Sequence, residues 1–400
     1  MKIKLVIIIT LFLILISGLR AQDNIDLLDA YGKYYSGKYT SAIAAFDQLI
    51  ASNSDHSDFY LYRGIAKYKT GSYQQALPDL VTAANMGQPD AYLWMARACV
   101  FLNEYSESMS CLVKYLQSVS APAIPEVKKD SVFKPFHSSE AWYELWQHDW
   151  QTASQKIIDE AEYLADKQKY EEAHSLIERN IEQSDASELL LYNSKLYAME
   201  GNIELAVNEL NRALSNDPDN LKLLRQKADY LLLLKNYREA YEMLTKVLII
   251  TPEDFHSRFS RAEAALLFGK LSDARSDITL YMKYFDHENA IFLAGKIAYA
   301  SEQYLDALRY FNRLLENNKG NAQYFKARGM TYYQTHTVNQ AAYDLSMSLD
   351  LIPDDAEANY YLGLTQDSLG NKKMACYYLN RAKNYGELRA IDYLQKNCSK

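Results

Sequence analysis

The chain has 400 residues, is 48% apolar and 24% charged, and carries a formal net charge of −8. Its Lys and Arg are interspersed with Asp and Glu instead of gathered into a stripe, which argues against a nucleic-acid or anionic-membrane surface. Only 8 Pro and 14 Gly occur, as long helices require, and 4 Cys are too few for a disulfide-dense scaffold.

At the N-terminus, Lys2 and Lys4 precede an apolar run from Leu5 to Ile16 that only Thr10 interrupts. Ser17, Gly18 and Ala21 follow, so residues 1–21 read as a secretory signal peptide cut after Ala21. The run falls short of the roughly 20 residues that span a bilayer, which favours cleavage over an uncleaved anchor. Cleavage would leave 40 basic against 51 acidic residues. The chain is therefore expected to be exported, to the periplasm or cell envelope of a bacterium.

Beyond the signal, a small residue recurs at Ala30, Gly64, Ala96, Ala161, Ser194, Ala228, Ala262, Gly295, Gly329 and Gly363. Twelve residues after each comes another: Ala42, Ala76, Ser108, Ala173, Ala206, Ala240, Ala274, Ala307, Ala341 and Ala375. Within one unit, Leu190, Leu191, Tyr197 and Ala198 keep helical spacing, Gly201-Asn202 breaks the run, and Ile203, Ala206, Val207, Leu210 and Ala213 resume it. The unit is thus an antiparallel helix pair, and its fixed period marks a solenoid whose units stack on their neighbours.

This pattern resembles the tetratricopeptide repeat family. Its 34-residue unit places small residues at positions 8 and 20, an aromatic or apolar residue at 17 and 24, and often Pro at 32. Position 17 is Tyr39, Tyr73, Tyr105, Tyr170, Ile203, Tyr237, Leu271, Tyr304 and Val338, with Lys372 departing from the rule. Position 24 is always apolar, from Phe46 and Leu80 to Leu345 and Leu379, and Pro218, Pro252 and Pro353 sit at position 32. The resemblance implies an all-α, right-handed solenoid of about ten repeats: three in residues 22–118 and seven in 154–389, with one interruption after the third.

That interruption, residues 119–153, contains Pro122, Pro125 and Pro135, followed by Trp142, Trp146 and Trp150 four residues apart. These rings are expected to share one face of a short helix and to plug the junction, since an exposed triple-Trp stripe would invite aggregation. Residues 387–400 form a capping helix with Leu388, Ile391 and Leu394 on one side. Cys376 and Cys398 then face each other across a hairpin, with a disulfide and two packed thiols as the alternatives; Cys99 and Cys111 lie on the two helices of one repeat.

No phosphate loop, His-Glu-x-x-His helix or Gly-x-Ser-x-Gly elbow occurs, and no two of the seven His sit at metal-ligand spacing. No catalysis, cofactor or metal is expected. In the resembled family, positions 2, 5, 9, 12 and 13 of each first helix line a concave groove. Carried onto this chain, they nominate Tyr31, Tyr34, Tyr35, Tyr68, Phe101, Arg225, Phe259, Phe292, Lys296, Tyr299, Tyr333 and Tyr360 as partner-binding residues. The Lys/Asn carboxylate clamp of one family branch is missing, because no position 9 holds Asn. The expectation is a non-enzymatic, exported interaction scaffold that binds a peptide or helix of another protein. A carbohydrate-binding accessory protein of the envelope is the alternative, raised by 34 Tyr.

Overall fold

A computed structural model of the chain describes residues 25–118, 124–182 and 186–398; the signal-like segment 1–21 lies outside them. Every regular element among the described residues is helical. By packing, the described residues divide into two compact units: those up to Lys235 together with Lys246–Phe255, and Asn236–Thr245 together with those from His256 onward.

The first unit begins with three helix pairs. These are α1 (25–35) with α2 (Tyr39–Ser52), α3 (Ser57–Lys69) with α4 (Tyr73–Asn85), and α5 (Asp90–Phe101) with α6 (Tyr105–Ser118). Two short helices follow, α7 (Ile124–Lys129) and α8 (Glu140–Leu145), with a 3-10 segment Ser131–Phe136 between them. Pairing resumes with α9 (Ala153–Asp166) and α10 (Tyr170–Asn180), then α11 (Ala186–Met199) and α12 (Ile203–Asn216), and then α13 (Leu221–Leu233). Helices α14 (Tyr237–Ile250) and α15 (Phe255–Phe268) contribute residues to both units.

The second unit continues with α16 (Leu271–Met282), α17 (Glu288–Ala300) with α18 (Tyr304–Asn317), and α19 (Ala322–Gln334) with α20 (Val338–Leu351). It closes with α21 (Ala356–Ser368), α22 (Lys372–Asn384) and the terminal α23 (Ala390–Asn397). Among the described residues the helix boundaries are those the periodicity predicts, and the position-17 residue is the first residue of every second helix.

Close approach explains the small residues. All ten side chains at position 20 are fully buried. At position 8, a Cβ added to Gly329 would sit 2.8 Å from Leu345 Cγ, and one added to Gly363 would sit 2.6 Å from Leu379 Cγ. Position 24 therefore closes on position 8 of its own pair. In the third pair, the buried Ser108 Oγ donates to the Ala96 carbonyl at 2.8 Å and ties positions 20 and 8 together.

The turn inside each pair is equally regular. Seven residues after the small residue at position 8, the backbone is left-handed in all ten pairs. Glycine serves at Gly37, Gly71, Gly201, Gly269 and Gly370; Asn103, Gln168, Lys235, Glu302 and His336 adopt the same conformation without it.

A buried ion-pair ladder recurs that spacing alone did not single out. Arg63, Arg261 and Arg328 precede position 8, and each forks onto a carboxylate sixteen residues on: Asp79, Asp277 or Asp344. In the ninth pair, Arg328 Nε and Nη2 donate to Asp344 at 2.6 and 2.8 Å. The remaining Nη1 reaches back to the preceding pair, to Asp47, Thr245 or Asn312 respectively. Asn193 donating to Glu209 at 2.8 Å occupies the same positions in the fifth pair. The planar guanidinium suits this task because it grips a carboxylate with two donors and keeps one free.

Two local expectations need correction. The three tryptophans do not share one helix, because α8 ends at Leu145 and Trp150 Nε1 donates to the Leu145 carbonyl at 2.7 Å. Trp142 is nonetheless buried with Phe133 and Phe136 against Leu112, Tyr115 and Leu116 of α6, with Trp146 and Trp150 packed around that cluster. At the C-terminus, Leu388 precedes α23 and is 71% exposed; Ala390 and Leu394 cover Leu379 and Ala382 instead. A disulfide joins Cys376 to Cys398 and fastens this last helix to α22.

Replacing Asp344 by Ala would strand the Arg328 guanidinium among buried groups, and should cost about 2–3 kcal/mol in urea unfolding. The Cβ of Gly329→Ala would meet Leu345 Cγ at 2.8 Å and force a local shift, so this variant should cost about 1 kcal/mol. Gly329→Leu should cost about 3 kcal/mol by overpacking. Equal midpoints for these two Gly329 variants would contradict the close-approach account.

Candidate functional site

In the second unit, three successive first helices bring side chains to one cavity. On α17, Phe292, Lys296 and Tyr299 are spaced by four and three residues, which sets them on one face. From α19 come Gln323, Lys326, Ala327 and Met330, and from the first turn of α21 comes Glu357. Phe311 of α18 completes a cavity of about 270 Å³.

The cavity has an apolar wall and two unlike cations. Phe292 packs on Phe311 and Tyr324, with ring centroids 6.0 and 5.1 Å away, so its position is set by the core. Lys326 Nζ is committed, lying 2.9 Å from Asp355 and 3.4 Å from Glu357. Lys296 is different: its ammonium stands 5.1 Å from the Phe292 ring centroid, and no described carboxylate pairs with it. Tyr299 accepts a hydrogen bond from Gln334 Nε2 at 3.3 Å, and burial pushes its phenol pKa above the ordinary range. The site can therefore grip an apolar group and still offer a positive charge.

The other nominated residues fall into separate groups. Tyr31 is only 2% exposed and packs edge-on to Phe46 and Tyr62, so it is chiefly a core residue. Tyr34 and Tyr35 crowd the same Tyr62, and the Tyr35 and Tyr62 hydroxyls lie 3.1 Å apart. Tyr68 meets Trp94 edge-on, with burial raising its pKa to about 12, while Phe101 stacks on Tyr73 at 4.4 Å. Arg225 is paired with Asp254 at 2.6 Å.

In the second unit, Phe259 packs with Tyr281 and His287. Tyr333 and Tyr360 both contact Tyr361, and the Arg389 guanidinium lies 4.7 Å from the Tyr360 ring centroid. Residue-type reasoning passed over Gln323 and Met330, although they occupy groove positions 2 and 9. It favoured aromatic and charged members of those rows.

A larger cavity, about 530 Å³, lies in the first unit among Leu27, Tyr31, Leu49, His56, Asp58, Phe59, Pro252 and Glu253. Burial raises the pKa of both its carboxylates. For Asp58 the nearby His56 opposes that rise; for Glu253, Asp58 and Asp254 add to it while Arg225 opposes it. Gln88 Nε2 donates to Asp58 at 2.5 Å. A site that disfavours its own negative charges is a weaker candidate than one presenting an unpaired lysine.

The tetratricopeptide repeat family model matches residues 27–99. Human tetratricopeptide repeat protein 16 is 22% identical over 245 residues, 56% of this chain and 25% of the relative. Human DnaJ homolog subfamily C member 3 is 24% identical over 208 residues, 48% of this chain and 41% of the relative. The chain thus spans well under half the length of either. Among solved structures, a tetratricopeptide repeat protein from Parabacteroides merdae superposes with a TM-score of 0.50 at 17% identity, covering 62% of this chain and 99% of that one. At that identity the likeness establishes the fold alone.

The raised Glu253 pKa sets a pH dependence. A carboxyl whose folded pKa exceeds its ordinary value near 4.5 contributes stability in full below that value, and loses the contribution as pH rises through the folded pKa. Glu253→Gln removes the titration. The variant should therefore melt higher than the parent at neutral pH and converge with it near pH 4. Parallel Tm curves across that range would count against the buried carboxylate.

Proposed function

Because the chain is a tetratricopeptide repeat protein, we propose that it is a non-catalytic scaffold seating a peptide or helix of a partner protein between its first helices. Proteins of this family commonly bind other proteins. The observation that carries the finer reading is the convergence of α17, α19 and α21 on one cavity, with Phe292 and Met330 as apolar surface and Lys296 unpaired. Rigid aromatic anchors beside one charged group give a peptide both affinity and register.

The proposed place of action is outside the cytoplasm, in a bacterial envelope. The signal-like residues 1–21 support this, and so does the disulfide between Cys376 and Cys398, a bond that persists in oxidising compartments. The non-catalytic reading rests on how much of the chain the repeats occupy. A glycan ligand draws less support. Tyr31, Tyr34, Tyr35 and Tyr62 spend their rings on one another, largely edge to face, which leaves few flat faces for a sugar.

A photo-crosslinking side chain placed at Met330 should capture a protein in cells, and the same probe at the exposed Tyr343 of α20 should not. Adding Lys296→Glu or Tyr299→Ala to the Met330 probe should reduce the adduct about tenfold or more, with helical circular dichroism unchanged. An adduct that survives both changes, or that forms equally well from Tyr343, would refute the groove.

A further inference from the structure

Cys99 and Cys111 lie on α5 and α6, at the eleventh and twenty-third positions of the third repeat. In the second repeat Lys67 and Asp79 hold those positions, with Nζ and Oδ2 2.7 Å apart. The helix-pair geometry therefore aims the two positions at each other. The third pair is held closely as well, through the Ser108 to Ala96 bond one turn away. Both cysteines are free and buried, 3% and 6% exposed, and each thiol perturbs the other's ionisation.

The pair is asymmetric. Donation to Cys111, together with burial, pushes the Cys99 thiol up; accepting that hydrogen bond, helped by Lys114, holds Cys111 down. Cys111 also belongs to the cluster of Leu112, Phe133, Phe136 and Trp142 through which the short helices lean on α6. The chain already carries one disulfide between neighbouring helices, Cys376–Cys398.

We propose that Cys99 and Cys111 are a second, reversible disulfide site, closed by thiol–disulfide exchange and bracing the helix pair that supports the aromatic insertion. The exchange partner is an external disulfide, either a low-molecular-weight one or that of an oxidoreductase. The Cys111 thiolate attacks one of its sulfurs, forms a mixed disulfide and releases one thiolate. Cys99 gives its proton to that thiolate and attacks Cys111 Sγ, which expels the second sulfur as a thiolate that solvent then protonates. One external disulfide is reduced by two electrons and the two cysteines are oxidised by two. Because both sulfurs are buried, closure requires opening of the α5–α6 pair or occurs during folding.

The test uses the full chain, reduced, unfolded and refolded in oxidised glutathione. Thiols are counted with dithiodipyridine in denaturant, and peptides are mapped by mass spectrometry. The expected result is no free thiol, with a Cys99–Cys111 peptide link beside Cys376–Cys398. In a Cys376→Ser, Cys398→Ser background, a dithiothreitol-dependent fall in Tm should remain, and it should vanish when Cys99→Ser is added. Two free thiols at 99 and 111 once Cys376–Cys398 has formed would overturn the proposal, as would pairing of either cysteine with 376 or 398. The thiol count on the unmutated chain decides the matter even if a serine variant fails to fold.

Discussion

The distance between the two helices of each pair governs the rest of the molecule. Buried small residues at positions 8 and 20 let the backbones approach, and the large residue at position 24 then fills the space over position 8. This is steric selection as much as hydrophobic gain: at Gly329 even a methyl group would crowd Leu345, and a longer side chain would overlap it further. Once that separation is set, the left-handed turn residue and the first residue of the second helix recur at fixed places. The turn conformation holds even where Lys235, Glu302 or His336 must adopt it without glycine's freedom.

Onto this packing three of the pairs add the arginine ladder. A nearly fully buried carboxylate such as Asp277 or Asp344 is costly to desolvate, and its ion pair largely offsets that cost without adding much net stability. Its geometric effect is the larger one. One guanidinium holds its own second helix with two donors and the preceding pair with a third, so intra-pair and inter-pair spacing are set by one side chain. The eighth pair, with Ala294 and Tyr310 at the corresponding positions, relies on apolar contact instead.

Packing demand also sorts the aromatic residues. The tyrosine surplus suggests abundant binding surface, yet Tyr31, Tyr34 and Tyr62 form a mutually packed group, and Trp142 anchors the insertion to α6. What remains for recognition is narrower: Phe292 held by the core beneath it, Tyr299 with its hydroxyl partnered, and Lys296 with none of the carboxylates that occupy Lys326.

The sequence by itself determined the helix pairs, their number and their register, because small residues at a fixed period are a one-dimensional imprint of backbone contact. It also carried the juxtaposition of Cys376 and Cys398, which follows from one hairpin. It did not carry the Arg–Asp ladder, whose members lie sixteen residues apart and look like ordinary surface charges until two helices are laid side by side. Nor could it separate Tyr31 from Tyr299, since both occupy groove positions of a first helix. Burial depends on what the neighbouring pair places against each ring, and only the tertiary structure decides that.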